Sequence, residues 1–161
     1  METRYASSVV EEMAQLADER FHSGIEEQFA YIDDILRRYP EDVVETWALV
    51  TTMYALQSVT VLKGVAPTRT EVKRLVGPAM VVVWNADEDE VSLANELTTD
   101  LAKYLWGKRT TPQARLATDP GHEEIHLMVR IAIAISVRVA IVEGLELYGD
   151  PIRRLAAELA M

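Results

Sequence analysis

At 161 residues, about half apolar and a quarter charged, the chain has the size and composition of one folded domain and is too hydrophobic for intrinsic disorder. A formal net charge of -10 argues against binding nucleic-acid phosphates, and the densest basic groups are only pairs: Arg37-Arg38, Lys108-Arg109 and Arg153-Arg154. The absence of cysteine rules out disulfides and thiolate metal sites and fits a cytoplasmic protein, while METRYASSVVEE lacks the basic-then-apolar pattern of a signal peptide.

Taken in order, the chain reads as a series of helices. Val9, Val10, Met13, Leu16, Ala17 and Phe21 form a stripe at three- and four-residue steps, which predicts a helix over 6–22, punctuated by Ser23-Gly24. Ile25, Phe29, Ile32, Leu36 and Tyr39 predict a second over 25–39, bounded by Pro40. The third is expected over 41–63, with Glu41 and Asp42 favouring the dipole of its first turn and Lys63-Gly64 stopping it. A loop follows from Gly64 to Thr70. Within it, Thr68-Arg69-Thr70-Glu71 fits a capping box that opens a fourth helix.

That helix is expected to break or kink at Gly77-Pro78, and Ala79 to Trp84 (AMVVVW) is the best strand candidate by composition. Val91, Ala94, Leu97, Leu101 and Leu105 predict a fifth helix over 87–106, followed by a polar loop over 108–118. The longest apolar run comes next. Asp119 is a suitable N-cap and Pro120 a suitable first residue, so a long helix is expected over 120–148, closed by Gly149-Asp150-Pro151. Ile131, Ile133, Ile135, Val137, Val139 and Ile141 alternate as in a strand, but length, alanine content and the cap signal favour helix. Its apolar stretch is interrupted by Arg130 and Arg138 and is shorter than the roughly 20 residues a bilayer crossing needs, so no membrane span is expected. A helix apolar on nearly every side belongs at the centre of a bundle. Ile152, Leu155, Ala156 and Leu159 predict a short final helix.

The strongest chemical pattern is His122-Glu123-Glu124-Ile125-His126. Two imidazoles four residues apart share one helix face and can hold a single metal ion. The five residues read H-E-x-x-H and resemble the zincin metalloprotease motif, which implies Glu123 as a general base on metal-bound water. The surroundings depart from that family. On an unbroken helix the downstream Glu143 lies roughly 25 Å from His126, too far to share its metal. Glu123-x-x-His126 and Glu19-x-x-His22 also resemble the E-x-x-H helices of di-iron carboxylate bundles, with Glu45, Glu71 and Glu96 as further candidates. His122 and His126, and secondarily Glu19 and His22, are therefore the candidate ligands of a divalent metal, zinc or iron.

The acidic pairs Glu11-Glu12, Asp18-Glu19, Glu26-Glu27 and Asp33-Asp34 partly resemble the magnesium helices of all-α nucleoside triphosphate pyrophosphohydrolases, but Gln15 and Ala30 stand where acids are required. Asn85-Ala86-Asp87-Glu88-Asp89 imitates a calcium loop without its glycine, and reads more simply as an acidic helix start. Arg130 and Arg138 either reach solvent or require carboxylates from neighbouring helices or a second subunit. The expectation is an all-α, single-domain bundle of five to seven helices spanning 1–161, built around the 120–148 helix. Its expected role is a self-associating binding or interaction module without catalysis, with no nucleic-acid or membrane partner. The alternative is a metal-binding bundle or metal-dependent hydrolase using His122, Glu123 and His126.

Overall fold

The computed structural model describes residues 2–19, 24–59, 68–105 and 122–160. Seven helices lie among them: α1 (Glu2–Glu19), α2 (Ile25–Arg38), α3 (Glu41–Val59), α4 (Arg69–Trp84), α5 (Glu88–Leu105), α6 (His122–Glu143) and α7 (Asp150–Ala160). No strand occurs among the described residues. The expected loop over 108–118, the cap at Asp119 and Pro120, and His22 lie outside them.

The all-α expectation is met, and α6 is the reason for the architecture. From Ile131 through Val137 every residue is buried, on all sides of the helix. Such a helix is satisfied only by a complete jacket, and α6 packs against each of the other six helices. Its most extensive partner is α3, followed by α4. By length and composition α6 passes for a membrane span, but 78% of its most apolar window is buried inside the bundle. Each fully buried Ile, such as Ile133 or Ile135, stabilises the fold by about 1.5–3 kcal/mol.

The expected break of α4 and the strand candidate after it are corrected, while the helix favoured over 131–141 is found. AMVVVW is not a strand: α4 runs unbroken through Gly77-Pro78 to Trp84. Pro78 is exposed, so its ring faces outward, and its missing N–H costs only the bond to the Arg74 carbonyl. Val72, Val76, Ala79, Met80, Val83 and Trp84 bury one face of α4, and that packing outweighs the proline. The alternating aliphatics of 131–141 are helical too, because burial on every side erases any need for a face.

The central helix also ends sooner than 148. Gly144 adopts φ 75°, the left-handed region that glycine enters freely. Its N–H donates to the Ile141 carbonyl (3.1 Å) and the Leu145 N–H to the Ala140 carbonyl (2.8 Å), a Schellman closure. The Thr68–Glu71 capping box forms as expected, with both reciprocal bonds present. The acidic segment 85–89 is a tight joint between antiparallel neighbours. Asn85 closes α4 in the left-handed region, and the Asp87 Oδ1 accepts from the Glu90 N–H (2.8 Å) at the start of α5.

The acidic pairs of the first two helices serve as ties between elements. Arg38 of α2 donates to Glu12 of α1 at 2.7 Å and to Asp34 at 2.7 Å. Arg153 of α7 reaches Asp18 at 2.9 Å and Glu11 at 3.2 Å, both on α1. The tightest joint is Gly149, whose N–H donates to Asp18 Oδ1 at 2.6 Å. A Cβ on Gly149 would lie 2.2 Å from the Ala14 carbonyl oxygen, so no side chain fits without moving backbone. Gly149→Ala is therefore expected to lower stability by about 1–3 kcal/mol through overpacking. Urea denaturation checks this, with Gly24→Ala, where a Cβ meets nothing within 4 Å, as a control free of overpacking that carries only the smaller cost of alanine at an N-cap.

Candidate functional site

The first turns of α6 meet α2 and α5 in a chain of polar side chains. His122 and His126 do share one face, with ring centroids 6.4 Å apart. Facing them is a residue the sequence reading did not select as a ligand, Asp33 of α2. Its Oδ1 lies 2.9 Å from His122 Nε2 and 3.6 Å from His126 Nε2. Phe29, one turn before Asp33, places its carbonyl oxygen 3.4 Å from the same His126 nitrogen and its ring edge-to-face with the imidazole at 5.0 Å. Glu123 is exposed, and Glu143 pairs with Arg154 at the far end of the continuous α6.

Deeper in, Arg130 is 8% exposed. A buried guanidinium cannot shed its proton and must be matched. Three contacts match it. Nη1 donates to Glu90 Oε2 of α5 at 2.6 Å, Nε donates to His126 Nδ1 at 3.0 Å, and the group lies over the Phe29 ring, 4.7 Å from its centroid. The Arg130 carbonyl in turn accepts from Trp84 Nε1 of α4 at 2.9 Å, and Trp84 packs on Phe29 at 5.7 Å. The neighbouring-helix carboxylate expected for a buried arginine is thus Glu90. Arg138 is half-buried, and its Nε has no hydrogen-bond partner among the described residues.

This arrangement fixes the protonation of His126. Arg130 Nε is always a donor, so Nδ1 must accept. The neutral ring therefore carries its proton on Nε2, aimed at Phe29 O and Asp33. Burial first, and the Arg130 charge second, push the His126 pKa below its ordinary value of 6.5. His122 is different: half exposed, it engages Asp33 at the surface.

The remaining metal candidates disperse. Glu71 is occupied by the α4 capping box, Glu96 faces a groove between α4 and α5, and Glu19 accepts from Gln15 at 3.1 Å on the exposed end of α1. Among the described residues no group of three or more His, Asp or Glu encloses a common coordination point. Comparison with protein-family models, with curated proteins and with solved structures gives no match.

The His126 pKa makes stability depend on pH with a definite sign. The folded state holds the ring neutral, whereas the unfolded chain takes up a proton near 6.5. Its contribution is therefore complete above that value and is lost as pH falls through it toward the depressed folded value. Between about pH 7.5 and about pH 5.5, the wild type is expected to lose more stability in urea than His126→Gln. Equal losses would remove His126 from the account and leave them to the paired carboxylates.

Proposed function

We propose that the protein is a cytoplasmic, self-associating interaction module, dimeric or larger, that works by binding rather than by catalysis. The observation that carries this reading is aliphatic surface left over on helices that otherwise bury such residues. Val81 and Val82 of α4 are 49% and 63% exposed, and Ile141 and Val142 of α6 are 55% and 69% exposed. Leu93 and Leu147 are also about half exposed. Adjacent exposed aliphatics on an acidic protein invite a partner that removes them from water. Light scattering on the purified chain is expected to give at least twice the monomer mass. A monomer at high micromolar concentration overturns the reading.

A second reading is a divalent cation such as zinc or iron taken up by His122 and His126 with Asp33 beside both. It requires these side chains to shift, because as they stand they do not enclose a common coordination point. The two Nε2–Oδ1 separations, 2.9 and 3.6 Å, bracket the about 3.3 Å expected between neighbouring ligands of a tetrahedral zinc. This reading requires His126 to give up the Nε2 proton, and hence Arg130 to release Nδ1. Elemental analysis is then expected to find one metal per chain, lost in His122→Ala and Asp33→Asn. Metal-free protein that melts identically with and without chelator sinks it.

A further inference from the structure

The hairpin of α4 and α5 carries a groove of about 390 Å³ whose charges are sorted along its length. Arg69 and Lys73 stand at the end where α4 begins, and Asp87 and Glu88 at the joint where α5 begins. The two groups lie roughly 20 Å apart at the helical rise of about 1.5 Å per residue. Between them Val81 and Val91 line the groove together with Ser92, Asn95 and Glu96, and Val82, the most exposed of the large aliphatics on α4, follows Val81 on that helix.

Two facts make this polarity unusual. Arg37, Arg38, Arg130, Arg153 and Arg154 are all matched to carboxylates. Arg69 and Lys73, like Arg74 and the half-buried Arg138, have no carboxylate partner among the described residues, in a chain whose net charge is -10. Glu88 likewise has no basic partner there, although the groove brings opposite charges onto one face. The face therefore carries cations at one end and acids at the other, with two valines, Ser92, Asn95 and Glu96 between them, and neither end is ion-paired among the described residues.

A surface of that pattern is complementary to itself under a two-fold axis through its middle. Rotation sets Arg69 and Lys73 of one copy against Asp87 and Glu88 of the other, twice, and brings each Val82 toward the opposite groove. We infer that the α4–α5 face is the homodimer interface, and that its occupant is a second copy of this chain. This rests on the self-association reading and specifies its surface. Polar matching at the rim selects the partner and the register, while the valines supply the apolar burial. It also accounts for how so acidic a chain approaches itself: contact is made where two of its unpaired cations stand.

The test is charge reversal at exposed positions, read by sedimentation or light scattering with circular dichroism to confirm folding. Arg69→Glu/Lys73→Glu makes both ends acidic, and Asp87→Asn/Glu88→Lys, which keeps a side chain able to cap α5 at position 87, makes both ends basic. Each protein alone is expected to dimerise at least about tenfold more weakly than wild type. Mixed in equal amounts they are expected to regain the dimer, because each then meets the opposite charge, and added salt should weaken that mixed dimer. A wild-type dimer that both variants retain unchanged overturns this interface while leaving self-association standing, through another face such as Ile141 and Val142. A wild-type monomer overturns both. Variants that dissociate but fail to recombine when mixed also overturn the two-fold pairing.

Discussion

Everything in this fold answers to the burial of one helix on all sides. An amphipathic helix needs a partner on one face; α6 has no face to spare for water over most of its length. Six helices are recruited to cover it. The geometry of the jacket then decides which residues from distant parts of the chain meet. Phe29 and Asp33, Trp84 and Glu90 gather around His126 and Arg130 because their helices all lie against the same half of α6.

Within that apolar sheath Arg130 is the exception that organises its surroundings. A guanidinium in the interior is tolerated only when its donors and its charge are both answered. Glu90 answers the charge, the His126 lone pair answers Nε, and the Phe29 ring supplies a favourable face. The consequence passes along the chain of bonds. Because Nδ1 of His126 is committed to Arg130, the proton sits on Nε2, and the imidazole becomes a donor toward α2. The pair of histidines that reads as a metal motif in one dimension is, in three, one surface ring on Asp33 and one interior ring in an arginine relay.

The acidic excess has a comparable division of labour. Glu11, Glu12 and Asp18 hold α1 to α2 and α7 by capturing Arg38 and Arg153. Each such surface tie is worth about 0.2–1 kcal/mol, so their value lies in setting which helix ends meet as much as in stability. Arg37, Arg130 and Arg154 are likewise paired with carboxylates. Arg69 and Lys73 at the start of α4, with Arg74 and with Arg138 of α6, are left without a carboxylate among the described residues.

The sequence by itself determined the helical class, most helix boundaries, the Thr68 capping box and the central place of the 122–143 segment. These depend on local periodicity and caps, or on apolar content that is legible without knowing the neighbours. The helical state of AMVVVW was not legible, since a proline and β-branched residues point away from helix and only the packing of Val76, Met80 and Trp84 decides otherwise. The end of α6 at Gly144 was written in the sequence as a glycine, but its backbone conformation had to be seen. Asp33 and Glu90 carried a faint signal as acids on otherwise amphipathic helices. Their pairing with His122 and Arg130, across separations of 89 and 40 residues, belongs to tertiary structure alone. The physical reason is that a hydrogen bond or ion pair leaves no trace in the periodicity of either helix. It exists only once the burial of α6 has fixed how those helices lie against it.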